Sequence, residues 1–208
     1  MSTPPSPGAI HLGFSGARHP FRDRPERAAL LAQLERKLAA RLNALRSELC
    51  LRPNHSICGV SQIAIGADTA FARACRSAGV PQRFFLPQKR DDFLNTADFD
   101  AGDRAEALAL LNGANVLEER VVSDSADRVQ RFRDTVREIL RASDLLICVF
   151  AGRASTTPTD RGGTADLLRQ AIQCGKPVLE CHLSVDGVEL IVSEVAHHFD
   201  RFCTTAAT

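Results

Sequence analysis

Two stretches of this chain carry the same punctuation, and that repetition limits its possible folds more than any other feature. In the first, the apolar run Ile57–Val60 leads through Ser61-Gln62-Ile63-Ala64 to Gly66-Ala67-Asp68. A helical pattern follows with Phe71, Ala74, Cys75 and Ala78 on one face. Gly79 suits its C-terminal cap, Pro81 stops it, and Arg83–Leu86 reads as the next strand, ended by Pro87. In the second, Leu145–Phe150 leads to Gly162-Gly163, a helix over Thr164–Cys174, a cap at Gly175, a stop at Pro177 and a strand at Val178-Leu179. Each stretch is a βαβ unit, and two of them predict a parallel sheet with helices on both faces. The run Leu145–Phe150 has the length and branching of a strand buried on both faces. Ligands of such sheets sit at the carboxyl ends of the strands.

The remaining segments extend this frame. Residues 1–8 form a flexible leader with three prolines, and 9–208 a single domain. Ala9–Phe14 is a first strand running into the Gly turn Ser15-Gly16-Ala17-Arg18. Pro25 sits in the first turn of a long helix to Leu49, with Ala29, Leu30, Leu34, Leu38, Leu42 and Leu45 at helical spacing. Gln88–Ala114 reads as a polar surface excursion near the ligand edge, containing a short helical piece, Arg104–Leu111. Val116-Leu117 and Val121-Val122 are short strand candidates. Ser125–Ala142 is a helix turning Val129, Phe132, Val136, Ile139 and Leu140 to the core. The tail Gly187–Phe202 is expected to end in a helix through Ile191, Val195 and Phe199.

Charge and cysteine usage exclude some functions. Lys plus Arg is 26 against 25 for Asp plus Glu, a formal charge of +1, which argues against general nucleic-acid binding. With no Trp or Tyr, any stacking surface must rely on Phe. Most of the seven cysteines, including Cys58, Cys75, Cys148 and Cys174, lie in apolar runs, as buried reduced thiols of a cytoplasmic protein do. No signal peptide and no run long enough to cross a bilayer is evident, so no membrane partner is expected.

Several residues are candidates for chemistry. Gly162, Gly163 and Thr164 open a helix whose free N–H groups and hydroxyl suit a phosphate; alternatively, the glycines only make the turn and Thr164 only caps it. Ser15, Gly16 and Arg18 follow the first strand at the same sheet edge, and Arg offers a fixed fork of donors for phosphate or carboxylate. Asp68, after Gly66 and Ala67, either accepts from a ribose or base, orients Arg18, or complements the helix dipole. Asp166 has the same dipole role available, beside one as general acid, general base or ribose ligand. Glu180-Cys181-His182 and His197-His198 match no zinc spacing, so no metal is expected, nor any cofactor.

Three stretches together resemble the SLOG superfamily, the Rossmann-like group uniting Smf/DprA DNA-processing proteins with the LOG cytokinin-activating phosphoribohydrolases. The similarity is to its branch in bacterial conflict systems. Leu12-Gly13-Phe14-Ser15-Gly16-Ala17-Arg18 resembles that branch's Gly-x-(Ser/Thr)-Gly-His-Arg opening. Ser61–Asp68 through Leu86-Pro87 resembles its Gly-Ala-Asp segment and following Leu-Pro. Ala142–Ile147, through Gly162-Gly163-Thr164-Ala165-Asp166 and Gly175-Lys176-Pro177-Val178, resembles its final unit, and Asp98-Phe99 falls where the branch has an Asp-Phe. The resemblance implies a three-layer α/β/α fold with a mostly parallel central sheet. It also implies a site for a nucleotide or nucleotide-derived signal at Gly13, Ser15, Gly16, Arg18, Gly66, Ala67, Asp68, Gly162, Gly163, Thr164 and Asp166. A homodimer and a separate effector protein are the macromolecular partners it implies. The sequence departs from the family where Ala17 replaces the His. It departs again at Leu167, where the phosphoribohydrolases place a catalytic Glu; Asp166 stands one position early, and no Met-x-x-Arg-Lys segment is present. These departures favour a binding module over N-glycosidic hydrolysis of nucleoside monophosphates.

Overall fold

The computed structural model describes residues 8–49, 56–151 and 163–199. Its strands are β1 (Ala9–Gly16), β2 (Ser56–Ser61), β3 (Gln82–Leu86), β4 (Val116–Val121), β5 (Leu145–Ala151), β6 (Val178–Asp186) and β7 (Glu189–His197). Its helices are α1 (Arg27–Glu48), α2 (Ala67–Ser77), α3 (Arg90–Leu94), α4 (Ala101–Leu111), α5 (Arg128–Ala142) and α6 (Thr164–Gln173). The strands make one seven-stranded sheet in the order β4-β3-β2-β1-β5-β6-β7. All neighbours are parallel except β6 and β7. This is the Rossmann-like three-layer α/β/α architecture that the two βαβ units predict. The strand order reverses between β1 and β5, which places the ligand crevice of such a sheet beyond Gly16 and Val149, partners in register.

The two sheet faces are covered by different helices. On one, Leu30, Leu34, Leu38, Leu42 and Leu45 recur every three or four residues, a single buried stripe of α1. They pack with Phe71 and Ala74 of α2 against Leu12, Phe14, Ile147 and Val149. The Phe14 and Phe71 rings stack at 4.2 Å. On the other face Val136 and Ile139 of α5 and Leu167 and Ala171 of α6 cover Leu146, Cys148 and Phe150. β5 is thus buried on both sides, as its unbroken apolar run requires.

Three expectations need correction. The segment 88–114 is not a surface excursion: α3, α4 and the connection between them bury Phe93, Leu94, Phe99, Leu110 and Leu111 against Phe84 and Leu86. Its polar residues are structural too, since Asp100 accepts from Asp103 N at 2.8 Å in a capping box that starts α4. The tail forms no helix through Ile191 and Val195. It is strand β7, joined to β6 by a two-residue turn in which Gly187 takes φ 57°, the first central position of a type II′ hairpin. In α5, Val129 is 48% exposed rather than core-facing, because Asp127 caps the helix there by accepting from Val129 N and the packed stripe starts a turn later.

The strand candidates Val116-Leu117 and Val121-Val122 are the two ends of one strand, β4, which stops at Val121 with Val122 just beyond it. Cys58, Cys75, Cys148 and Cys181 are buried and free, but Cys174 is exposed at the end of α6. Burial pushes the Cys58 thiol up to about 11, which makes it a poor nucleophile. No helix among the described residues is long and apolar enough to cross a membrane.

Candidate functional site

Three chain reversals meet at the carboxyl edge of the sheet centre. β1 ends at Gly16, α2 begins after Gly66, and α6 begins after Gly163. The side chains of Ser15 and Thr164, 149 positions apart, touch through their hydroxyl oxygens at 2.9 Å. Gly16 N donates to Asp68 Oδ1 at 3.1 Å, and Ala67 N donates to Ala17 O at 3.0 Å. The Gly turn after β1 and the two helix starts therefore share one rim, as the sequence pattern requires.

The corners differ in what they leave available. At the first, Ala17 N donates to Val149 O, so the N–H groups of Gly16, Ala17 and Ala67 all have partners within the protein. Gly66 holds φ 95°, and a Cβ there would lie 2.2 Å from Arg18 O; a Cβ on Gly16 would lie 2.4 Å from that of Ala67. These glycines let two backbones approach. At the second corner, a Cβ on Gly163 would meet nothing within 4 Å among the described residues. Gly163 O accepts from Asp166 N and Leu167 N. The N–H groups of Thr164 and Ala165 lie in the first helical turn, where α-helix geometry provides no acceptor within the helix. Positive potential at this helix start favours an anion.

Asp68 lies beneath this rim rather than on it. It is 1% exposed, and Oδ2 makes no hydrogen bond of normal geometry, with Ala64 and Gln62 nearby. Burial pushes its carboxyl up to about 7, against the opposing pull of the Gly16 N–H and the Arg18 charge. Its position makes it a tether between β1 and α2. Gly13 is not at the rim either. It pairs with Leu146 within the sheet, where a Cβ would lie 2.2 Å from Ser143 Oγ, so its role is close packing. Asp166, in the first turn of α6, is held by Arg169 of the same helix at 3.0 Å. Gly162 lies outside the described residues.

Arg18 extends the site away from Thr164. Its guanidinium lies 4.7 Å from the Phe132 ring centre and 3.3 Å from Asp98. Arg128, one helical turn before Phe132, reaches the same Asp98 oxygen at 2.7 Å. Asp98 thus faces two cations, and Arg18 pairs with it rather than with Asp68. Arg128, Arg131, Phe132 and Asp98 also line a cavity of about 100 Å³, room for a phosphate-sized group but not for a nucleoside. Reading the sequence misses Arg128 and Phe132 as site residues. Their i, i+4 spacing at a helix start is the one local signal, and only the fold brings Asp98 to them. A larger cavity of about 370 Å³ lies elsewhere, between α1 and β5, β6 and β7. Its walls are mainly apolar, including Leu34, Leu38, Ile147 and Leu183, with Lys37, Arg41 and Glu194 as its charged members.

Glu180 accepts from both His182 Nε2 at 2.9 Å and His197 Nε2 at 2.7 Å, joining the two His clusters. Among the described residues no group of three or more His, Cys, Asp or Glu is placed to hold a metal ion.

No protein-family model matches the sequence, and no curated protein matches it. Similar solved structures include DNA processing protein A (DprA) from Streptococcus pneumoniae, at 16% identity and TM-score 0.49, covering 83% of this chain and 50% of that one. The chain therefore spans about half the length of that protein. Another is TM1055, a structural genomics target, at 16% identity and TM-score 0.41, covering 82% of this chain and 72% of that one.

Proposed function

We propose that this chain binds a nucleotide or nucleotide-derived signal in the crevice beyond β1 and β5, and that it acts as a sensor rather than an enzyme. The contact between Ser15 and Thr164 carries this reading, because it brings a Gly turn and an open helix start to one rim at the point where the strand order reverses. Gly163, Thr164 and Ala165 supply main-chain and hydroxyl donors for a phosphate. Arg18 supplies countercharge, and the Phe132 ring beside it offers a stacking face in a chain without Trp or Tyr. The resemblance to the conflict-system branch of the SLOG superfamily points to signalling in antiphage defence, through a separate effector.

Asp98 fits the sensor reading. Its single negative charge pairs with both Arg18 and Arg128, leaving one positive charge in excess, and an incoming phosphate competes for the same cations. For hydrolysis of a nucleoside monophosphate Asp166 is the available carboxylate, and its bond to Arg169 holds it along its own helix.

Thermal shift against a panel of mono-, di- and cyclic nucleotides tests the site. A ligand at a hundredfold excess over Kd stabilises by about 2.7 kcal/mol, a readily measured shift. Thr164→Arg and Arg18→Ala should each abolish it. No shift with any nucleotide, or the same shift in both variants, removes the assignment. Free base released from AMP by the wild type but not by Asp166→Ala would turn the reading towards an enzyme.

A further inference from the structure

A single helix roofs three strands on the face that carries α1. That helix is about 10–12 Å across, and it also packs on α2 through Phe71 and Ala74. Beneath it run β5, β6 and β7, which together span about 14 Å. One helix cannot seal that width, and the cavity of about 370 Å³ lies where it falls short. Ile147 and Val149 of β5, Cys181 and Leu183 of β6 and Val192 of β7 form its floor. On α1, Lys37, Ala40, Arg41 and Ala44 recur at three- and four-residue spacing and so share the face that overhangs it. Two of these four are alanines, whose short side chains leave the space open.

The roof is tied to the floor at two points. Early in the helix, Gln33 accepts from Leu190 N and donates to Val188 O, both at 2.8 Å. About two turns on, Arg41 Nε lies 3.2 Å from Glu194 of β7. These ties hold α1 at a set height, so the space is formed before a ligand arrives. Its charges are matched. Arg41 stands between Glu194 and Glu48, the latter at 2.6 Å, and Lys37 is exposed, with its ammonium in water at the rim. Two cations and two carboxylates sum to zero. The Cys181 thiol is neutral as well, since burial pushes it up to about 12.

We propose that this cavity is a second ligand site, which takes an uncharged alkyl or aryl molecule. A cavity of about 150 Å³ holds one benzene, so this one has room for roughly fifteen non-hydrogen atoms. Its lining from Leu34 to Ala44 follows about 15 Å of helix, which suits an elongated body. Leu34, Leu38, Ile147 and Leu183 offer apolar contact, the driving force for such a ligand. An ionised ligand would lose its water shell and find no unmatched opposite charge inside, with Glu194 repelling an anion and Arg41 a cation. A single hydroxyl or carbonyl fits at the open end beside Lys37. None of Ser15, Arg18 and Thr164 lines this cavity, so it is separate from the crevice beyond β1 and β5.

N-phenyl-1-naphthylamine, an uncharged probe that brightens in apolar surroundings, tests the site on the full chain. Its fluorescence should rise saturably with the wild type. Decanol should displace it, while decanoate and decyltrimethylammonium should each need roughly tenfold more or worse. Ala40→Leu with Ala44→Leu fills the space from the roof and keeps good helix formers, so probe affinity should fall roughly tenfold or more while Tm holds or rises. Val192→Phe fills it from the floor with a residue that strands accept, and should weaken the probe in the same direction. No saturable rise with the wild type, an equal rise in both filled variants, or displacement by either ion as readily as by decanol overturns the proposal. No nucleotide enters these measurements, so their outcome is independent of the crevice.

Discussion

The two glycine corners look alike in sequence and do opposite work. Gly66 ends its strand-to-helix turn in a left-handed conformation, jammed against the backbone at Arg18, with the neighbouring N–H groups bonded inside the protein. Gly163 opens α6 with ordinary backbone angles and, among the described residues, no atom within 4 Å of where a Cβ would stand. The first corner fastens β1 to α2; the second leaves the N–H groups of a helix start without an acceptor in their own helix. A Gly before a helix therefore marks a turn, while its surroundings decide whether the turn is a clamp or a cradle.

This contrast can be broken by mutation. Gly66→Ala should have the largest effect, about 3–5 kcal/mol of lost stability in urea unfolding, from a strained φ and overlap with a carbonyl that cannot move aside. A loss below 1 kcal/mol would end the clamp reading. Next comes Asp68. Its folded value of about 7 lies above an unfolded value near 4, so between those pH values the folded protein keeps a proton the unfolded chain has released. Its contribution is full below about pH 4 and falls as pH rises to 7, by at most about 4 kcal/mol. Asp68→Asn keeps an acceptor for Gly16 N and should flatten that part of the wild-type profile; an unchanged slope would mean another group titrates.

Ser15→Ala should cost about 0.5–1.5 kcal/mol, the net worth of one hydroxyl bond, and should loosen nucleotide binding at the second corner. Gly163→Ala should be the mildest, under about 1 kcal/mol and owing only to the poorer N-cap, while thermal shift still reports any ligand whose phosphate needs that space.

Much of the architecture was legible because β2-α2-β3 and β5-α6-β6 repeat one pattern of apolar runs and turn residues, and the meeting of their corners follows from parallel pairing. β7 was not legible. Ile191 and Val195 are four apart, a spacing shared by one helix face and one strand face, and Leu190 and Val192 fill the opposite face; Gly187 was the signal for a hairpin. The segment around α3 and α4 hid its core residues among charges that turn out to cap and brace helices. At the site, Asp68 looked like any acid in a first helical turn, and its burial depends on β1 arriving from 52 positions away. The Arg18–Asp98 contact spans 80 positions and no local pattern announces it.

The placement of β1 has a consequence for synthesis. This strand lies between β2 and β5, so one flank is covered early and the other must wait until residues 145–151 have been made. A nascent chain with β1 to β4 in place would present a bare, apolar strand rim, a surface prone to mispairing and one that chaperones recognise. Closing that gap joins contacts far apart along the chain, a slow kind of step. The crevice beyond β1 and β5 is finished at the same moment, a late event in the making of each molecule.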